Sequence, residues 1–457
     1  MSSQANPVSL IRLAKMYLSD INRIWDYDEK QLKKYQDKQF RKIVKYAYTV
    51  PLYHDKFKKH GVHPNDIKGL DDISKLPFIT KKDLRDNYPD RIVPKNFNHN
   101  NGFVLSTSGS TGKPVFLIVD RFSAIKSLIG FARILKAYGG NWKTTKVSII
   151  IDLEPGAAEH AFFSASAIPL LKNFFSLDNI KYIHLGEKPE NIMKKLDEFQ
   201  PEFLGTDPNM LRQLAYQKIN GNGKNVNPKY VYSASAILDS YTKNYVENAF
   251  NTRLFDIYGT TEAGPLAFEC VEGDYHIHSD FVKIEFLDED NKPVKYGTPG
   301  HTVITKLYGR GTPIIRYTGL DDLVTPIQKK TSCGITSDMI KHIEGRASEL
   351  IYLPDGKTLS PLATTGIPAK TMEKFDSYVI RQFQIVQHAL DDVEILVVVD
   401  NKYKDKKVNV KEIINDLEKK FSERIGPDVN VRVTKTDEIK KDARSGQIKV
   451  IVSKLKK

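Results

Sequence analysis

Leu105-Ser106-Thr107-Ser108-Gly109-Ser110-Thr111-Gly112-Lys113-Pro114 concentrates hydroxyls, glycines and one lysine between two short apolar runs. Such a turn suits a phosphate: its glycines let the backbone approach an anion, its hydroxyl and amide groups donate to the oxygens, and Lys113 adds positive charge. It is not the P-loop of NTPases, because Gly109 stands too close to Gly112 and Pro114 occupies the place of the required Ser or Thr. The apolar run Val115-Phe116-Leu117-Ile118-Val119 reads as a strand, so the turn is expected to join two strands rather than to open a helix.

Working outward, the 457 residues can bury a large core and suggest two or three domains. A hydrophobic share of 40% beside 27% charged residues describes an ordinary soluble globular chain. No apolar run approaches a membrane span, and the N-terminus lacks the features of a secretory signal, so no membrane partner and a cytoplasmic location are expected. The formal charge of +13 attracts phosphorylated ligands, a phosphopantetheine carrier or nucleic acid alike. Its lysines and arginines are scattered except at the tail, Lys454 to Lys457, which argues against a nucleic-acid groove. Cys270 and Cys333 are the only cysteines; they provide no disulfide framework and cannot alone close a four-ligand zinc site, so both are read as structural or incidental.

Residues 1–60 carry apolar positions at helical spacing, with Val50-Pro51-Leu52-Tyr53 as a break. Capping-type helix starts are read at Asp71 and Thr80. From 104 to about 320, strand-like runs such as Val147 to Ile151, Ile180 to His184 and Tyr230 to Ser233 alternate with helix-like ones such as Ile192 to Phe199, Met210 to Ile219 and Tyr241 to Phe250. That alternation predicts layered α/β structure with a largely parallel sheet. Glycine-punctuated strands over 275–318 suggest a β-subdomain. After Gly345 the chain restarts with Leu350-Ile351-Tyr352, a helical Val410 to Phe421 and a strand Val393 to Val399. The predicted organisation is therefore a large N-terminal α/β domain, 1–345, and a small α+β C-terminal domain, 346–457.

Three further motifs carry chemistry. Asp256-Ile257-Tyr258-Gly259-Thr260-Thr261-Glu262-Ala263-Gly264 offers a ring to stack, hydroxyls for phosphate and a carboxylate for magnesium. In Ile315-Arg316-Tyr317-Thr318-Gly319-Leu320-Asp321-Asp322 the acidic pair can accept from a ribose diol. In Ile343-Glu344-Gly345-Arg346 the guanidinium can clamp a phosphate or make an ion pair at a domain seam.

With these motifs in this order, the chain resembles the adenylate-forming superfamily of acyl-CoA synthetases and peptide-synthetase adenylation domains. It most resembles the phenylacetate-CoA ligase branch with its relatives from capsule and polysaccharide clusters. Branch resemblance lies in Val50-Pro51-Leu52-Tyr53, the stretch Lys81 to Pro89, Tyr275-His276-Ile277 and Gln382 to Gln387. The resemblance implies ATP-dependent conversion of an acid to its acyl-adenylate, then transfer to a thiol such as that of coenzyme A or a carrier protein. It favours an aryl or arylacetic acid.

By the same resemblance, Ser106, Thr107, Ser108, Gly109, Ser110, Thr111, Gly112 and Lys113 would hold the β- and γ-phosphates. Within the turn carrying Gly259 and Thr260, Tyr258 would stack on adenine, Thr261 would reach the α-phosphate and Glu262 would hold Mg²⁺. Asp321 would bind the ribose hydroxyls, with Asp322 as the alternative because Leu320 replaces a usual glycine. Arg346 would contact ribose and phosphate. His160, Phe162, Ser233 and Ala234 fall to the acyl pocket, although a packed helix histidine explains His160 equally. These groups are expected to converge on one nucleotide, and dimers are common among relatives.

Departures from the family pattern are Ser348, where the hinge residue is usually Asp or Lys, and Gln447, where relatives carry the lysine of a Ser-Gly-Lys motif. Gln447 donates a hydrogen bond but carries no charge. Lys449 would share its face on an extended strand, displaced by about 6–7 Å. Two alternatives follow: transfer to an amine or sugar without coenzyme A, and a degenerate nucleotide-binding relative with weak adenylation.

Overall fold

In the computed structural model the strand-like runs pair as a mixed sheet. The structure describes residues 7–107, 114–154, 157–165, 177–375, 377, 379–399, 409–440 and 450–455. Two strands, β1 (Gly102–Ser106) and β2 (Phe116–Asp120), form an antiparallel pair with Ser106 opposite Phe116. The serine-rich turn therefore joins two strands, as its flanks required, while positions 108–113 themselves lie outside the described residues.

An eleven-stranded sheet is built from β3 (Val147–Ile151), β4 (Ile180–His184), β5 (Phe203–Thr206), β6 (Tyr230–Ser233), β7 (Arg253–Thr260), β8 (Gly264–Glu269), β9 (Tyr275–Ile277), β10 (Val282–Leu287), β11 (Gly300–Lys306), β12 (Asp322–Ile327) and β13 (Met339–Arg346). Its order is β10-β11-β12-β13-β9-β8-β7-β6-β5-β3-β4. From β4 to β7 every pairing is parallel. From β7 onward, β7 with β8, β8 with β9, β9 with β13 and β10 with β11 pair antiparallel. The cause is visible in the chain: helices separate the parallel strands, whereas the three residues 261–263 join β7 directly to β8.

Local signals fix several of these elements. Thr80 and Asp83 form a reciprocal capping box on the helix Lys81–Asn87, as read. Asp71 does not start a helix; it lies within the 3₁₀ turn Leu70–Lys75, whose cap is Gly69, because its carboxylate reaches out to Lys33 instead of to the local backbone. Asp207 accepts from the N–H groups of Asn209 and Met210 and so sets the helix Pro208–Ile219 immediately after β5. Apolar residues Ile134, Tyr138, Val147, Phe203, Phe255, Ile257 and Phe268 fill the layer between the parallel strands and the helix Arg121–Ala137.

The chain divides into two compact units, one of residues 1–236, 246–320 and 325–341, the other of 237–245, 321–324 and 342–457. In the second unit β14 (Ile351–Tyr352) pairs with β15 (Thr358–Leu359). A four-stranded sheet there has the order β18 (Asn430–Thr436), β17 (Asp392–Val399), β16 (Ile380–Ala389), β19 (Ile451–Ser453). The helix Val410–Ile425 buries Ile413, Leu417, Phe421 and Ile425, one residue per turn. The fold is thus mixed α/β with a C-terminal α+β unit. Among the described residues no helix is long and apolar enough to cross a membrane.

Candidate active site

The register of the parallel strands places Thr206 and Ser233, the last residues of β5 and β6, side by side with Asp256 in the middle of β7. In open α/β sheets the carboxyl edge is where ligands bind, because the loops leaving it are free to diverge. The hydroxyls of Thr206 and Ser233 are buried and without a hydrogen-bond partner among the described residues. A buried hydroxyl left unpaired costs about 1–3 kcal/mol, so such a pair marks a place where a polar partner is expected. Asp256 accepts the Tyr275 hydroxyl at 2.8 Å.

The chain between Ser233 and Ala236 is strained: Ser235 has φ 73°, the left-handed region that a residue with a β-carbon adopts at a cost. Ala234, whose N–H donates to the Thr206 carbonyl at 3.1 Å, extends the β5–β6 ladder up to that kink. Nothing in the sequence signalled Ser235. Thr206 was within reach, since it directly follows the Phe203-Leu204-Gly205 run read as a strand.

The Tyr258 to Gly264 motif forms the tight turn where the sheet changes from parallel to antiparallel. A register shift between Tyr258 and Gly259 bends β7 just before it. Thr260 accepts the Ala263 N–H at 3.2 Å and so closes the turn. Gly264 has φ +80°, and a β-carbon there would lie 2.8 Å from the Ser127 hydroxyl, so glycine is required on both counts. Tyr258 and Glu262 are both buried. The Tyr317 hydroxyl donates to Glu262 at 3.2 Å. Burial, with the Glu262 carboxylate second, pushes the Tyr317 phenol far above its usual range, so it stays a donor. Tyr317 was part of a motif read for its acidic pair, and its ring gave no separate signal.

Arg316, in the same motif, is a clamp. Its fork grips Glu285 through Nε at 3.1 Å and Nη2 at 2.9 Å, Nη1 donates to the Leu76 carbonyl at 2.8 Å, and the plane stacks on Phe78. This holds Tyr317 in place, with its N–H on the Ile304 carbonyl at 2.9 Å.

At the mouth of the serine-rich turn, Thr107 accepts the Val115 N–H on its hydroxyl at 3.1 Å and donates its own N–H to Val115 at 2.9 Å. Ser106 is the last residue of β1. Behind it, Ile118 exchanges bonds with Thr312, N–H to Thr312 Oγ1 at 3.0 Å and carbonyl from Thr312 N–H at 2.7 Å. A β-carbon on Gly311 would sit 2.0 Å from the Ile118 carbonyl oxygen, which is why the glycine-rich 309–311 segment can lie against this hairpin.

His160 and Phe162 lie on the helix Ala158–Ala165, both half-buried. Phe162 packs against the Ala124 and Ile125 cluster. In the second unit, Asp321 accepts the Ser348 N–H at 3.0 Å and its carbonyl accepts the Ala347 N–H at 2.6 Å. Asp321 is thereby fixed beside the turn that follows Arg346, while Asp322 opens β12. Arg346 lies 3.9 Å from Glu349 and is 38% exposed. Ser106, Thr107, Tyr258, Gly259, Thr260, Thr261 and Glu262 belong to the first unit together with His160, Phe162, Ser233 and Ala234; Asp321 and Arg346 belong to the second. Ser108 to Lys113, Gln447 and Lys449 lie outside the described residues.

A family profile described as "CapK C-terminal domain" matches residues 365–454. The chain is 26% identical over 391 residues to a phenylacetate-coenzyme A ligase of Thermus thermophilus, covering 82% of each protein. It is 23% identical over 417 residues to protein CapK of Staphylococcus aureus, covering 90% of this chain and 87% of CapK. Among solved structures, 2-hydroxyisobutyryl-CoA ligase in the postadenylation state, bound to R3-HIB-AMP, superposes with a TM-score of 0.76 at 18% identity over 94% of this chain and 91% of that one. The chain thus has the fold of the adenylate-forming enzymes and is similar along most of its length to the phenylacetate-CoA ligase branch and to CapK.

Proposed function

We propose that the protein is an AMP-forming acid-thiol ligase: it activates a carboxylic acid with ATP as an acyl-adenylate and passes the acyl group to a thiol, with coenzyme A as the acceptor. The observation that carries this reading is the Tyr258 to Gly264 turn at the carboxyl edge of the parallel strands, bearing a buried carboxylate oriented by Tyr317. Supporting it are the similarity to phenylacetate-coenzyme A ligases and the fold shared with a ligase solved with an acyl-adenylate.

The chemical difficulty is that an anionic carboxylate must approach an anionic α-phosphate. The chain meets it with donors and positive charge around the reacting phosphorus. Thr261 is assigned to the α-phosphate, Tyr258 to adenine, Ser106 to Lys113 to the outer phosphates, Asp321 to the ribose hydroxyls and Arg346 to ribose and phosphate. Glu262 fits Mg²⁺, an ion that takes one or two protein carboxylates and its other ligands from phosphate and water; when bound, it would offset charge on the phosphates. His160, Phe162, Ser233 and Ala234 are assigned to the acid. An aryl or arylacetic acid follows from the similarity to phenylacetate-coenzyme A ligases. A working division after Gly345, cytoplasmic residence and a homodimer belong to the same reading.

ATP–pyrophosphate exchange across aryl, arylacetic, fatty and amino acids tests it, followed by trapping with coenzyme A or an amine. Exchange with an aryl acid and thioester formation are expected; absence of exchange with every acid would overturn the proposal. A second reading rests on Gln447, which brings no charge to the place where the resemblance implies a lysine. If the wild type binds nucleotide without turnover while Gln447→Lys turns over, the chain is a nucleotide-binding relative. If Lys449→Ala abolishes exchange in the wild type, Lys449 supplies the missing charge.

A further inference from the structure

Cys270, His276 and Cys333 come from three separate places in the chain, yet their Sγ, ring nitrogen and Sγ atoms lie within 4.8 Å of one another. Cys270 follows β8, His276 is the middle residue of β9, and Cys333 sits in the connection between β12 and β13. The pairing of β13 with β9, Met339 opposite His276, carries that connection across to the histidine, and Ile277 N–H donates to the Asp338 carbonyl at 2.9 Å. Cys270 and His276 are fully buried and Cys333 is half-exposed.

We propose that these three side chains form a metal site of the soft-ligand class, a Cys₂His set selecting Zn²⁺, that pins the β8–β9 hairpin to the β12–β13 connection. The geometry suits it in three respects. Tetrahedral zinc with ordinary Zn–S and Zn–N bonds has ligand–ligand edges of about 3.5–3.8 Å. Here His276 Nε2 is 3.2 Å from Cys333 Sγ, and all three atoms fall inside 4.8 Å, so closure needs only side-chain settling. The other ring nitrogen, Nδ1, meets the Ser337 hydroxyl at 2.9 Å, the second contact by which metal-ligating histidines are normally oriented.

Around the sulfurs, the Glu272 N–H donates to Cys270 Sγ at 3.4 Å, and the Thr331 hydroxyl lies 3.2 Å from Cys333 Sγ, contacts that stabilise thiolates. Three protein ligands leave a fourth tetrahedral position for water, and Cys333 is the half-exposed member of the set. A disulfide would account for the two cysteines but not for an imidazole held between them by Ser337. Binding converts both thiols to thiolates and releases two protons as two S–Zn bonds and one N–Zn bond form, with no change of oxidation state. The sequence conceals this site, because two cysteines 63 positions apart show no metal-binding spacing and His276 stands in a stretch that signals only the branch resemblance.

The test uses the full chain, reduced, stripped with a chelator, then given one equivalent of ZnCl₂ or CoCl₂ and desalted. Retention of about one metal per chain is expected, with thiolate-to-cobalt charge-transfer absorption and tetrahedral d–d bands in the cobalt form. Zinc should raise the melting temperature of the stripped wild type. Cys270→Ser and Cys333→Ser should each weaken the charge-transfer band and bind zinc at least about tenfold more weakly, no less than the loss of an outer-shell contact to a ligand costs. Reduced, folded wild type that retains less than a tenth of an equivalent and shows no cobalt band would overturn the proposal. So would serine variants that hold metal as the wild type does. The wild-type arm decides the matter even if a variant fails to fold.

Discussion

Two buried polar regions of the first unit differ in whether opposite charges pair within them. Around Asp280, at one end of the antiparallel region, Arg133 donates bidentately at 2.9 and 3.0 Å and Arg23 adds a third bond at 3.0 Å. Asp20, Lys126 and the Phe281 ring enclose the set. At the carboxyl edge of the parallel strands, the buried hydroxyls of Thr206 and Ser233 have no partner among the described residues and Ser235 stores backbone strain. The first arrangement is a lock, since the Asp280 carboxylate is met by two guanidinium groups, although Arg23 Nε and Arg133 Nε have no hydrogen-bond partner among the described residues. The second is incomplete as folded, which is the signature of a surface that a ligand finishes.

If that contrast is right, substitutions in the lock should change stability and substitutions at the edge should change chemistry. The largest effect is expected from Arg133→Met, which strands the Asp280 carboxylate; a loss of about 3–5 kcal/mol is typical of a broken buried pair and would appear as a large fall in melting temperature. Burial alone would raise the Asp280 pKa, but Arg133 and Arg23 hold it at about 2, below the ordinary 3.8. Because the folded value is depressed, this stabilisation is present above pH 3.8 and is lost as pH falls through about 2. The variant should therefore show a shallower acid-side decline than the wild type.

Next in size, Glu262→Gln should lower exchange by about 10²–10³-fold, the scale of removing one preorganised electrostatic group, with little change in melting temperature. Lys306 sharpens the comparison from the other side. It is buried beneath Tyr308, and burial brings its pKa down to about 8 although Asp120 opposes the fall. Between about 8 and 10.5 the unfolded chain holds the extra proton, so stability rises with pH over that window. Lys306→Met should accordingly stabilise the protein at pH 7 by about 1–3 kcal/mol, with the gain vanishing by pH 11. Tyr317→Phe is a smaller change: exchange should fall by about tenfold, one hydrogen bond to a charged group, and restoring the hydroxyl should restore the rate. The smallest is Ser233→Ala, with stability within about 0.5 kcal/mol of wild type and a shift confined to the KM for the acid.

Much of the architecture was legible because it rests on short-range signals. The period of Val147 to Ile151 and its successors gave the parallel strands, Thr80 gave a helix start, and the flanks of the serine-rich turn gave its hairpin. Asp71 misled because a capping-type residue says nothing about a lysine 38 positions away. The candidate site was legible only in part. The Tyr258 to Gly264 turn is a contiguous stretch and could be read, whereas the Thr206–Ser233 row, the Tyr317 bond to Glu262 and the Cys270–His276–Cys333 cluster exist only through strand register. Arg316 shows the opposite failure, a residue in a functional-looking motif whose fork is spent on Glu285 and Leu76.

The account depends most on the turn carrying Tyr258 and Glu262 being a nucleotide site, and calorimetric titration of ATP with magnesium tests that directly. The wild type should bind one ATP per chain, and Tyr258→Ala should weaken that binding by at least about fivefold, the lower end of what base–aromatic stacking supplies. Equal affinity in a folded Tyr258→Ala protein, or no heat of binding in the wild type, would contradict it.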